Sequence, residues 1–134
     1  MKHLFLVRHA KSSWADETLS DRERPLSARG VSQLAPLGNA LKSVGAFEGE
    51  VYSSSARRAV ATLQGILPDT VAAERYHTLS ALYTFDYRRL LAWLEEQADA
   101  PQITLVGHNP ALLELAQSLL KQPRNSYPPP ALFT

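Results

Sequence analysis

Cysteine is absent from the 134-residue chain. Disulfides and thiolate chemistry are therefore excluded, and the composition suits a reducing compartment. Charge of neither sign prevails, since 14 basic residues face 13 acidic ones for a net +1. That balance excludes a bulk electrostatic grip on nucleic acid or on a membrane surface. Long hydrophobic runs are missing as well. The first run, Leu4 to Val7, is too short for the core of a signal peptide and ends on Arg8. Nothing approaches the length of a membrane span. The expected setting is the cytoplasm. With no internal repeat and no linker-like stretch, the chain reads as one domain over 1–134.

What is present is short apolar runs alternating with helical patterns. Residues 3–7 read as a strand buried on both faces. Residues 10–26 are polar and read as a long loop. A helix follows, with Ser27 as N-cap, an inward face of Val31, Leu34, Leu37, Leu41 and Val44, a kink at Pro36 and a stop at Gly45. A second strand lies around Val51 and Tyr52 and runs into hydroxyls, and "ARRAVATLQGIL" is the next helix. Residues 70–79 read as a weak strand or loop. "DYRRLLAWLEEQA" is an amphipathic helix with Tyr87, Leu90, Leu91 and Leu94 inward. Ile103 to Val106 form a third strand. Asn109 caps the last helix, with Pro110 in its first turn. The Pro-rich tail is extended, with Leu132 and Phe133 as a short edge strand. Strands alternating with helices predict a three-layer α/β domain, its central sheet largely parallel and flanked by helices.

In such sheets ligands bind beyond the carboxyl ends of the strands. Three strands here end on polar groups: Arg8 and His9, then Ser53 and Ser54, then His108. Guanidinium forks match phosphate oxygens, and a neutral imidazole is a nucleophile toward phosphorus. That imidazole needs its other ring nitrogen held by an acceptor such as a backbone carbonyl. Helix starts at residues 56 and 110 add backbone donors. Arg8, Arg58, His9 and His108 then compose a pocket for a dianion, and its charge can be met without a metal. A zinc site on His9 and His108 would lack a third ligand. His3 and His77 read as structural or exposed, Trp14 as a packing anchor, and Lys11 as a rim residue. Arg22, Arg24 and Arg29 read as solvated charges, or as rim cations guiding an acidic partner.

The segments "LFLVRHAKSSW", "VYSSSARRAVAT" and "LVGHNPAL" together resemble the three signature blocks of the histidine phosphatase (phosphoglycerate mutase-like) superfamily. With "DRERPLSARG" between the first two, the chain is similar to its small SixA-type phosphohistidine phosphatases. The likeness runs from residue 3 to about residue 120 and keeps block order. It implies a phosphoglycerate mutase-like fold and a phosphatase without cofactor. His9 would be the nucleophile, Arg8 and Arg58 the phosphate clamps, His108 the stabiliser of the transferring group, and Ser12 a neighbour of the phosphate. Arg58 rather than Arg57 matches the second block.

Two departures bear on function. Ala10 stands where the superfamily's first block has glycine. Larger members also supply a carboxylic acid between the second and third blocks, where this chain offers only Glu74 and Asp86. A phosphohistidine leaves as an imidazole and needs less protonation than an alkoxide. The expected substrate is therefore phosphohistidine on a partner protein. The alternatives are a small phosphorylated molecule, turned over by a phosphomonoesterase or mutase-like enzyme, and a weakly active phospho-ligand binding module. Relatives also continue through another strand, so the sheet edge near the tail is expected to be incomplete.

Overall fold

The first strand forms where the sequence is apolar on both faces. In the computed structural model, which describes residues 1–121 and 128–133, β1 spans His3–Arg8 and buries Leu4 through Val7. Successive side chains point to opposite faces of a strand. Phe5 and Val7 therefore enter one core, and Leu4 and Leu6 enter another. Each such fully buried side chain is worth roughly 1.5–3 kcal/mol. The remaining elements are α1 (Ala28–Ser43), β2 (Glu50–Ser54), α2 (Arg57–Ile66), β3 (Tyr76–Leu79), α3 (Tyr87–Glu96), β4 (Gln102–Gly107), α4 (Ala111–Leu120) and β5 (Ala131–Phe133).

The strands lie in the order β3-β2-β4-β1-β5, and every pairing is parallel. Helices α1 and α2 pack together over one face, and α3 and α4 over the other. This is the three-layer α/β arrangement that the alternation predicts. Because all strands point the same way, the ends of β1, β2 and β4 carry Arg8, Ser54 and Gly107 to one rim.

Several boundaries differ from the sequence reading. Ser27 caps α1 as expected, accepting from the Gly30 amide at 3.0 Å, and Gly45 closes it at φ +78°. Pro36, where a kink is expected, lies inside the helix, which continues to Ser43. Its buried face is Gly30, Leu37 and Leu41, whereas Val31 and Val44 are half exposed. Gly30 is buried because α1 starts hard against the loop after β1. A Cβ there would sit 2.1 Å from the Lys11 carbonyl oxygen. Pro110, not Asn109, holds the cap position of α4, and Asn109 Oδ1 instead accepts from the Leu113 amide at 3.2 Å.

The polar stretch 10–26 is no free loop. Ser12 bridges Leu26, the Ser13 amide donates to the Pro25 carbonyl, and Asp21–Glu23 form a 3-10 turn. The ambiguous stretch 70–79 contains an edge strand, β3. At the other edge, β5 pairs with Phe5, Leu6 and Val7 only, covering half of β1. The tail residues 122–127 and 134, read above as extended, lie outside the described residues. Among the described residues no helix is long and apolar enough to cross a membrane.

Candidate active site

At the rim, β1 delivers His9 and β4 delivers His108, with ring centroids 5.2 Å apart. The backbone fixes the His9 tautomer. Nδ1 lies 2.7 Å from the Ala10 carbonyl oxygen and donates to it, so Nε2 keeps its lone pair. Arg58 Nε donates to that Nε2 at 3.3 Å. His108 is almost wholly buried, at 1% exposure. Its Nε2 lies 2.8 Å from the Ser54 hydroxyl, and its Nδ1 lies 3.5 Å from Arg58 Nη2. Since the guanidinium can only donate, Nδ1 is the acceptor and Nε2–H donates to Ser54.

Both imidazoles are held neutral at physiological pH. Burial lowers the His9 pKa to about 4. The hydrogen bond to Ala10 opposes this, and the charges of Arg58, Arg8 and Arg24 add to it. Burial likewise lowers His108 to about 3, assisted by His9 and Arg58 and opposed by Asp21. Tyr83 and Phe85 supply much of that cover, their rings lying 5.5 and 5.3 Å from the His108 ring.

Arg58 stands at the second residue of α2 and is 2% exposed. A buried guanidinium needs a partner, and Asp21 provides one that the sequence reading missed. Arg58 Nη2 donates to Asp21 Oδ2 at 3.0 Å and Nη1 to the Asp21 carbonyl at 2.5 Å. Oδ2 also accepts from the Tyr83 hydroxyl at 2.5 Å, and Oδ1 from Arg24 Nη1 at 3.1 Å. Burial would raise the Asp21 pKa, but these donors and the Arg58 charge outweigh it and hold the carboxyl at about 2. Asp21 is thus a permanent anion that aligns the clamp. Only its sequence position beside three arginines hinted at this.

Arg24 also departs from the expectation of a solvated cation. It is 6% exposed, donates to the Ser12 hydroxyl and to the Ser13 carbonyl, and binds Asp21. Its guanidinium lies 3.2 Å from the centre of the Trp14 ring. Trp14 itself is 73% exposed, so it is not the packing anchor expected. Arg22 donates to Ser55 at 2.6 Å and lies over Tyr83. Arg57 stays outside, reaching only the Glu23 carbonyl at 3.5 Å.

The structure therefore brings Arg58, His9 and His108 into direct contact and places Ser12 and Arg8 on the groove that His9 borders. Arg8 is exposed at the end of β1, although it directly follows the buried run Leu4 to Val7. Thr62 is a further support. Its hydroxyl accepts from the Ala10 amide at 3.0 Å and donates to the Arg58 carbonyl at 2.8 Å, tying the His9 turn to the clamp helix. Neither carboxylate singled out from the sequence joins them. Glu74 lies in the 3-10 turn before β3, at the amino end of the sheet and so opposite the rim. Asp86 caps α3 and is paired with Arg88 at 3.0 Å. Among the described residues, no three His, Asp or Glu side chains cluster as a metal site.

Comparison with known proteins places these residues in context. The sequence profile described as "Histidine phosphatase superfamily (branch 1)" matches residues 4–87. A curated Arabidopsis thaliana chloroplast protein of uncharacterised function is 30% identical over 128 residues, which cover 88% of this chain. The chain spans 59% of that relative's length. Among solved structures, one from Nakamurella multipartitia named for phosphohistidine phosphatase SixA is 27% identical with a TM-score of 0.71. The match covers 95% of this chain and 73% of that one. An Escherichia coli structure named for α-ribazole-5′-P phosphatase reaches the same TM-score, 0.71, at 20% identity, covering 91% of this chain and 81% of that one. Equal fold similarity to two proteins named for different substrates means that the fold does not choose the substrate.

Proposed function

The chain belongs to the histidine phosphatase superfamily, branch 1, and from that premise we propose a metal-independent phosphatase that carries the phosphoryl group on His9 and takes it from phosphohistidine on a partner protein. The observation that carries this reading is the His9 ring, with Nδ1–H on the Ala10 carbonyl and an unprotonated Nε2 at the arginine clamp. In the first step the Nε2 lone pair attacks phosphorus. The new N–P bond forms as the substrate's own P–N bond breaks, and the electron pair stays on the departing imidazole. That ring leaves neutral when its other nitrogen carries a proton. In the second step water attacks phosphorus, the His9–phosphorus bond breaks, and the pair returns to Nε2. Both protons of the water leave with the phosphate, which departs as dihydrogen phosphate and releases one of them to solvent.

Positioning and charge dominate phosphoryl transfer. Arg8 and Arg58 face the phosphoryl oxygens, and Ser12, tied to Arg24, lies beside them. His108 flanks the transferring group, and a bound dianion there favours its protonated, donating form. The guanidinium groups supply the charge that a metal would otherwise bring.

The substrate choice follows from the carboxylates. An alkoxide leaving group needs a proton donor. Asp21, held at about 2, has no proton to give at neutral pH. Glu74 is at the other end of the sheet, and Asp86 is paired with Arg88. Phosphohistidine asks least of such a site.

The test is a rapid quench with labelled phosphohistidine, beside a turnover panel of phosphohistidine, aryl phosphate and alkyl phosphates. An acid-labile, alkali-stable adduct on His9, lost in His9→Ala, is expected. Aryl phosphate turns over, alkyl phosphates far more slowly, and activity survives a chelator. Label on a serine would end the two-step scheme. Alkyl esters cleaved as fast as phosphohistidine would replace this substrate with a small phosphorylated molecule.

A further inference from the structure

A groove of about 680 Å³ opens beside His9 and runs along α1. A phosphoryl group and one imidazole do not fill it. Near His9 its wall carries three basic side chains, Arg8, Lys11 and Arg29, and among the described residues no acidic one lines it. The chain as a whole has 14 basic and 13 acidic residues, so this one-signed wall is a local feature and not a reflection of composition. Lys11 and Arg29 enter no ion pair among the described residues, and phosphoryl transfer as derived above does not use them.

The groove is also firm. The Lys11 amide donates to Gln33 at 3.1 Å, and the Lys11 carbonyl accepts from the Ser27 amide at 2.9 Å. Lys11 is thereby fixed against the start of α1, where Arg29 stands. Trp14, exposed but held by Arg24, borders the cationic end. Further along α1 the lining turns apolar at Pro36, Leu37 and Ala40. A surface that is cationic at one end and apolar at the other matches a polypeptide with acidic side chains followed by an apolar one.

We infer that this groove seats the partner segment flanking the phosphohistidine, with acidic residues of that segment against Lys11 and Arg29. The inference rests on the phosphohistidine reading of the same site. Such exposed pairs each contribute modestly, so their signature is a preference among flanking sequences.

Two histidine peptides differing only in flanking Asp/Glu or Lys provide the test. Each is used phosphorylated for turnover and unphosphorylated for calorimetric binding, with phosphoramidate as the unflanked substrate. The wild type should favour the acidic peptide about tenfold in KM and in Kd, and added salt should erode the preference. In Lys11→Glu/Arg29→Glu the order of the two peptides should invert, which a general folding defect would not produce. Equal handling of both peptides by the wild type, or a preference that survives the double charge reversal, overturns the groove assignment while phosphoramidate turnover leaves the chemical reading standing. If binding shows the preference but neither phosphoramidate nor phosphopeptide is turned over, the phosphohistidine reading falls, and the assignment of the bound segment as one flanking a phosphohistidine falls with it.

Discussion

Burial of an imidazole beside guanidinium groups opposes its protonation, and His9 combines that environment with a fixed tautomer. With its pKa lowered to about 4 mainly by burial, the ring is neutral across the physiological range. Its nucleophilic nitrogen then needs no base to free it. Histidine-resolved 15N NMR should find Nε2 unprotonated at pH 7 and a titration midpoint near pH 4. A midpoint at the ordinary value of 6.5 would contradict the geometry. The two neighbouring arginines make a sharper case. Arg58 touches both histidines, whereas Arg57 reaches only a backbone carbonyl across the surface. Loss of a charge aimed at the transition state costs about 10²- to 10³-fold in rate. Arg58→Ala should fall by that order in kcat/KM, and Arg57→Ala should stay within about threefold. Thermal melts of both variants separate loss of chemistry from loss of fold. Equal rates for the two variants would mean that contact with the histidines does not matter to catalysis.

At the scale of elements, the strands that end on chemistry were the legible part. β1 and β4 are short apolar runs stopped by Arg8 and by Gly107-His108, and a buried strand has few reasons to end so. The parallel sheet followed from alternation, and Ser27 from its place before an apolar helix pattern. Less legible was whatever depends on contacts across the loop at 10–26. Asp21, Arg24 and Ser12 meet only because that loop folds back on the start of α1, and polar residues in a loop show no period. Val31 and Val44 satisfied helical spacing yet stayed half exposed, because α1 buries a narrower stripe than its apolar count predicts. Thr62 belonged to a recognised block without an assigned task, and the fold supplies one. Its hydroxyl joins the turn after His9 to α2. Thr62→Val keeps the side-chain shape but leaves the buried Ala10 amide without an acceptor, at a cost of about 1–3 kcal/mol. Urea denaturation should report a loss of that size, and kcat should fall with it as the His9 turn loosens. An unchanged unfolding midpoint would show that the bond contributes little to the fold.

For the molecule as a whole, the same buried groups tie stability to pH. An unfolded chain restores His9 and His108 to about 6.5 and Asp21 to about 3.8, while the fold holds them at about 4, 3 and 2. All three values are depressed on folding, so in each window the unfolded state binds more protons and stability rises with pH. The histidine contribution is complete above pH 6.5 and drains away as the pH falls toward 4 and then 3. The Asp21 contribution is complete above 3.8 and drains as the pH falls toward 2. The acid decline therefore begins in the histidine window, well before carboxylates titrate. Its slope approaches about 1.4 kcal/mol per pH unit for each group that is protonated only when unfolded. Urea midpoints measured at pH 8, 7, 6 and 5 should be level between 8 and 7 and then fall at each step. Replacing one group, in His108→Gln, should flatten that fall even if it lowers the midpoint at pH 8, because it removes a titrating site and not only a contact. A midpoint that holds steady to pH 5, or an equal slope in the wild type and His108→Gln, would mean that these imidazoles protonate as readily inside the fold as outside it. The neutral nucleophile at the rim of the sheet would then lose its physical basis.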